Sequence, residues 1–112
     1  MIRHCVFIRF EADVTRAQQD DLFRRVSGLG DRLPGLVATY AGRNISPEVG
    51  MDKGYSTGFV VDFADADARD AYLRDPEHRR IGEQLVASAV GGVDGVLVFD
   101  LEVDEGPPAV SP

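Results

Sequence analysis

The stretch YLRDPEHRR (residues 72–80) holds two residues suited to proton transfer. Tyr72 precedes Pro76 by four positions, and His78, one of two histidines in the chain, follows it by two. A neutral imidazole can act as a general base. A tyrosine hydroxyl can donate a hydrogen bond to a developing negative charge. Tyr72 and His78 are therefore a candidate acid–base pair.

The proline decides whether these two side chains can meet. A residue before proline avoids the helical region, so Asp75 should end one helix and cap the next, with Pro76 at its first position. Six positions do not bring Tyr72 and His78 together on one helix, but a break between them can. Near a helix N-terminus the imidazolium is disfavoured, which would keep His78 neutral. The alternatives are a solvent-exposed His78 and a Tyr72 that only packs over a sheet.

The other candidate for chemistry is His4, on a strand face that is otherwise apolar. It is either a core histidine or a residue that lines a pocket. Two histidines far apart, without an evident carboxylate partner, make a weak metal site, and we expect neither a metal nor a cofactor. Cys5, the only cysteine, lies in an apolar run and is expected to be a small buried side chain.

Composition limits the function classes. The 112-residue chain is 44% hydrophobic and carries a net charge of −7, which argues against partners such as nucleic acid and anionic membranes. No signal peptide is evident, and no apolar run approaches the roughly 20 residues of a membrane span. We expect a cytoplasmic protein with one domain over residues 1–103 and a flexible C-terminal tail over residues 104–112.

The hydrophobic pattern predicts an α+β fold. Strands are expected at residues 2–10, 36–46, 55–63 and 95–103. Helices are expected from a capping box at Thr15 and Gln18, from Asp65, and from Pro76 to about residue 90. The order strand, helix, strand, strand, helix, strand is the ferredoxin-like βαββαβ pattern, a four-stranded antiparallel sheet with helices on one face.

The sheet should have a second apolar face. Cys5 and Phe7 on the first strand, and either residues 96 and 98 or 97 and 99 on the last, leave apolar groups on the side without helices. A solvated antiparallel face would alternate with polar residues. We therefore expect a homodimer that packs sheet against sheet.

Four segments carry a resemblance to a known family: IRHCVFIRF, GRNISPE with a following GY, AYLRDPEH and VLVFDLEV. Together they resemble the stress-responsive α/β-barrel (Dabb) family from about residue 2 to residue 103, and AYLRDPEH is the most specific. The resemblance implies ferredoxin-like protomers that dimerise into an α/β barrel.

One plant branch of that family is a polyketide cyclase that closes a linear polyketide by intramolecular aldol condensation, with a histidine base and a tyrosine. The resemblance implies that His78 and Tyr72 are the catalytic residues and that His4 lines the pocket. Thr57 stands where the cyclase has a pocket histidine, and Val26 stands at about the position of a pocket tyrosine.

Three hypotheses follow. The first is a dimeric enzyme of the cyclase type that binds a small apolar or carbonyl-containing ligand, in an apolar cavity between sheet and helices lined by His4, Phe59 and neighbouring residues. The second is a stress-response or binding barrel without chemistry, whose interior is filled or narrow. The third, by analogy of architecture alone, is a cofactor-independent monooxygenase.

Overall fold

The predicted ferredoxin-like architecture is confirmed in a computed structural model, which describes residues 1–104. Its strands are β1 (Ile2–Ile8), β2 (Leu36–Arg43), β3 (Thr57–Phe63) and β4 (Val96–Glu102), and its helices are α1 (Arg16–Gly28), α2 (Ala66–Arg74) and α3 (Pro76–Ala87). The strands form one antiparallel sheet in the order β2-β3-β1-β4. Of the predicted tail, residues 105–112 lie outside the described residues.

The predicted helix starts are confirmed by their hydrogen bonds. The Gln18 backbone N–H donates to Thr15 Oγ1 at 3.2 Å, and the Thr15 backbone N–H donates to Gln18 Oε1 at 2.8 Å, which completes the capping box. Asp65 caps α2 through the N–H of Ala68. These polar groups satisfy backbone donors that have no partner inside the helix.

β2 and β3 are shorter than predicted. β2 ends at Arg43 and β3 begins at Thr57, because the chain between them forms a polar loop. In that loop the side chain of Asn44 accepts from the backbone of Ser46, and Asp52 accepts from Gly54. Side chains of this type compete with the ladder for backbone groups and favour turns.

The core lies between the helices and one face of the sheet. That face is formed by alternate residues of β1 and β3, among them Val6, Ile8, Val61 and Phe63. Side chains from all three helices cover it: Leu22, Phe23, Val26, Tyr72, Ile81 and Leu85. His4 therefore lies on the face of β1 that points toward the helices.

The other face of the sheet remains open to solvent in the single chain. Across β1 and β4, Phe7 pairs with Leu97 and Cys5 pairs with Phe99. The sequence left open whether residues 96 and 98 or residues 97 and 99 lie on this face, and the register shows that it is Leu97 and Phe99. Tyr40 of β2 is 61% exposed on it. Among residues 1–104, no helix is long and apolar enough to span a bilayer.

Candidate functional site

The structure brings the Tyr72 and His78 side chains into contact. Asp75 is extended (φ −62°, ψ 129°) and separates α2 from α3, so the chain changes direction between the two residues. Their ring centroids are 4.0 Å apart with an angle of 43° between the planes. Tyr72 is fully buried, and His78 is partly buried. The predicted break thus places both rings at the junction of the two helices.

Two polar atoms of this pair have no partner. Tyr72 Oη and His78 Nδ1 are buried and form no hydrogen bond with any group in residues 1–104. Buried polar groups in proteins nearly always have a partner, and leaving one without costs about 1–3 kcal/mol. The two atoms therefore mark the contact between Tyr72 and His78 as a candidate site.

His4 extends the site from β1. It is 4% exposed, and its ring centroid lies 5.8 Å from that of Tyr72. Its Nδ1 atom is 2.6 Å from Asp100 Oδ1, and Arg69 donates to the other oxygen of Asp100 at 3.2 Å. The expectation that the histidines lack a carboxylate partner is therefore wrong for His4. Asp100 lies directly opposite His4 in the β1–β4 register, so strand pairing holds the two together.

Burial sets the protonation of the pair. It lowers the pKa of His78, and the nearby His4 lowers that pKa further, while the backbone carbonyl of Leu73 and the Asp75 carboxylate act in the opposite direction. Burial also raises the pKa of Tyr72. At pH 7 the site therefore contains a neutral imidazole and a neutral hydroxyl. The helix position predicts the same direction for the pKa of His78, and in the structure burial is the largest cause of the shift.

The helix that carries His78 is held at its start by Asp75. This carboxylate accepts from the His78 backbone N–H at 3.0 Å, as predicted, and from both terminal nitrogens of Arg32 at 2.7 and 2.8 Å. The bond to Arg32 is the main reason why the pKa of Asp75 is lowered to about 2. Arg32 was not identified from the sequence. It ties the segment after α1 to the N-cap of α3.

The other predicted site residues lie elsewhere. Thr57 pairs with Ile8 at one end of β3, whereas His4 pairs with Val61, four residues further along, which is about 13 Å in a strand. Phe59 and Val26 belong to the packed core and are 3% and 1% exposed. The structure thus joins His4 to Tyr72 and His78 but does not join Thr57 to them.

Thr57 borders two clefts. One, of about 600 Å³, lies between α1 and β2, and the other, of about 460 Å³, lies between the open sheet face and the β2–β3 loop. Neither is lined by His4, Tyr72 or His78. The cleft between sheet and helices that Thr57 borders therefore lies at the α1–β2 edge and not at Tyr72 and His78.

The described residues do not offer a metal centre. Within residues 1–104, no group of three or more His, Cys, Asp or Glu side chains is placed to hold an ion. Cys5 is buried as expected, and burial raises the pKa of its thiol, which disfavours the reactive thiolate. The chemistry that the site can support is proton transfer between imidazole, hydroxyl and a bound molecule.

Known proteins share this fold. A dimeric ferredoxin-like protein of unknown function from Jannaschia sp. CCS1 is 37% identical, with a TM-score of 0.84 over 91% of this chain and 98% of that one. A cofactor-independent oxygenase from Streptomyces nogalater is 18% identical, with a TM-score of 0.71 over 96% of both chains, and shows the fold alone.

A characterised enzyme is also similar. Olivetolic acid cyclase from Cannabis sativa is 22% identical over 82 residues, which are 73% of this chain and 80% of the cyclase. The model of the stress responsive A/B barrel domain matches residues 2–103, nearly the whole described length. The chain therefore belongs to the stress responsive A/B barrel domain family.

Proposed function

We propose that this protein binds a small carbonyl compound beside Tyr72 and His78 and transfers a proton from the carbon next to the carbonyl, as in an aldol-type cyclisation. One observation carries the proposal. Two contacting side chains, both neutral at pH 7, each have a buried polar atom without a partner among residues 1–104. A base and a donor so close together suit a reaction in which charge moves from carbon to oxygen.

Each residue has a role in this reaction. His78 Nδ1 accepts the proton from the carbon, and the electron pair of the broken C–H bond moves to the carbonyl oxygen. The Tyr72 hydroxyl donates a hydrogen bond to that oxygen as it becomes negative. In a cyclisation, the enolate carbon then attacks a second carbonyl of the same molecule, whose oxygen takes the proton from His78.

His4 is a third polar group in the proposed site. A proton on its Nδ1 would be donated to Asp100, which leaves Nε2 as an acceptor for a ligand hydroxyl. Arg69 holds Asp100 from the other side. The similarity to olivetolic acid cyclase supports a cyclase-like reaction, because that enzyme is named for closing a ring.

A binding barrel without chemistry is the second candidate. It is favoured by the complete burial of Tyr72 and by the packed core between the pair and the cleft at Thr57. In this case the pair would serve packing alone. The oxygenase hypothesis has a neighbour with the same fold, and at 18% identity that likeness supports the fold alone.

Hydrogen–deuterium exchange separates the two candidates without knowledge of the substrate. Ethyl 2-ethylacetoacetate has a single hydrogen between its carbonyl groups, and NMR in D₂O follows its loss. We expect wild type to accelerate this exchange over buffer, His78→Ala to lose roughly 100-fold or more of the acceleration, and Tyr72→Phe to lose a smaller part. Arg79→Ala, an exposed change in the same helical turn, is the matched control.

Two outcomes would contradict the proposed enzyme activity. Exchange at the buffer rate with wild type would favour the binding barrel. Acceleration that persists in a folded His78→Ala variant, with unchanged circular dichroism and Tm, would place any base elsewhere.

We also propose that the open sheet face forms a homodimer. Leu97 and Phe99 are 44% and 57% exposed in the single chain. Leu97 lies directly opposite Phe7 across β1 and β4, and Phe99 lies opposite Cys5 on the same face. A contiguous apolar surface of this kind is characteristic of subunit interfaces. The dimeric Jannaschia protein supports the assembly.

A further inference from the structure

The cleft between α1 and β2 lies at an edge of the fold. β2 is the last strand on its side of the sheet, and α1 runs in the opposite direction, so the start of α1 lies near the end of β2. The cleft has a volume of about 600 Å³. Its apolar lining comes from Phe23 of α1 and Ala41 of β2, with the exposed Ile45 at one side.

The charged lining of this cleft is mostly basic. It includes three arginines, Arg16, Arg24 and Arg43, and one acid, Asp20. This local excess of positive charge contrasts with the net charge of −7 of the whole chain. Arg16 is also the first residue of α1, where the helix dipole favours an anion.

Two of these arginines are free to bind a ligand. In the part of the chain that the structure describes, neither Arg16 nor Arg43 forms an ion pair. Arg24 reaches Asp21 at 3.4 Å, and both side chains are exposed, so that pair is weak. A guanidinium binds a carboxylate through two parallel hydrogen bonds.

We infer that this cleft binds a medium-chain carboxylate, with its head group on Arg16 and Arg43 and its hydrocarbon tail along Phe23 and Ala41. An inorganic anion would satisfy the arginines but leave the apolar lining exposed. A neutral hydrocarbon would cover the lining and gain nothing from the arginines. The site is separate from Tyr72 and His78 and does not depend on their chemistry, since it lies at the Thr57 end of β3.

Octanoate is the probe, with 1-octanol, octylamine and acetate as comparisons that remove the charge, reverse it or remove the tail. We expect ¹⁵N NMR titration with octanoate to be saturable and to shift the amides of Phe23, Ala41 and Thr57. Acetate and octylamine should produce smaller shifts that do not saturate over the same range.

A pair of double variants tests the arginines. Arg16→Gln with Arg43→Gln should weaken octanoate binding roughly tenfold or more, because each arginine donates charged hydrogen bonds, and should leave octanol binding unchanged. Arg79→Gln with Arg80→Gln makes the same change in net charge on exposed residues of α3 and should have little effect.

Three results would overturn the inference: equal weakening by both double variants, octylamine binding as tightly as octanoate, or amide shifts that map outside the cleft. None of them bears on the exchange reaction proposed for His78, so the two proposals fail separately.

Discussion

Asp75 offers a sharp test of how the start of α3 is held. The carboxylate has two partners, the N–H of His78 and the guanidinium of Arg32, and two substitutions separate them. Asp75→Asn keeps an oxygen that can cap the helix but removes the charge that Arg32 binds. Asp75→Ala removes both interactions. The difference in the free energy of unfolding between the two variants therefore measures the helix cap. The stability that Asp75→Asn loses relative to wild type measures the ion pair with Arg32.

The stability that Asp75 contributes follows from its lowered pKa. A fall from 3.8 to about 2 corresponds to an upper limit of about 2.5 kcal/mol of stability. The Arg32 side chain is 52% exposed, so solvent screening reduces this to about 1 kcal/mol for the ion pair. Loss of the cap adds about 1 kcal/mol. We expect Asp75→Asn to lose about 1 kcal/mol at pH 7 and Asp75→Ala about 2 kcal/mol.

The sign of the pH dependence is fixed by the same shift. Because the folded-state pKa of Asp75 lies below its unfolded value, the stabilisation is complete above about pH 4 and is lost as the pH falls through about 2. Urea unfolding at pH 7 and at pH 2, at one chain concentration, measures this. The advantage of wild type over Asp75→Asn should shrink at pH 2. Equal stability at pH 7, or an undiminished difference at pH 2, would refute the reasoning.

Two further predictions concern the site and the sheet. His78 should titrate below the reference value of about 6.5 in an NMR experiment. His4→Gln should raise the pKa of His78, because the Coulombic effect of His4 that lowers it is removed, and a pKa that stays the same or falls in the variant would exclude that coupling. Phe99→Asp should dissociate the proposed dimer in sedimentation equilibrium, because a charge is placed in an apolar interface. Leu73→Asp, at a similarly exposed position on α2, should not, and loss of the dimer in both variants would argue against the sheet face as the interface.

Local chemistry in the sequence predicted the framework of the fold. The pair Thr15 and Gln18 marks a helix start, and Asp75 with Pro76 marks a helix boundary, because each pattern satisfies or excludes a backbone hydrogen bond within a few residues. Alternation along β1 placed His4 on the inward face. These signals are short in range, so one sequence is enough to read them.

The partners of the site residues are distant in sequence, which is why they were missed. Asp100 is 96 positions from His4, and Arg32 is 43 positions from Asp75. The pattern of residues 96–102 predicts a strand but not its register on β1. Once β4 is paired with β1 as the ferredoxin-like order requires, a polar residue within an apolar strand becomes the natural partner of His4. Core side chains fill the space between Thr57 and Tyr72. How side chains pack there cannot be read from the hydrophobic periodicity of the sequence.

The edge position of β4 has a dynamic consequence. β4 is bonded on one side only, to β1, and it carries Asp100. Edge strands open locally at a lower free energy than the whole domain unfolds, so the Asp100 carboxylate can leave His4 while Tyr72 and His78 stay in the core. A partner subunit that covers Leu97 and Phe99 would slow this opening. Association of the proposed dimer is then expected to control how long the aspartate–histidine contact survives, which would link the quaternary structure to the proposed acid–base site.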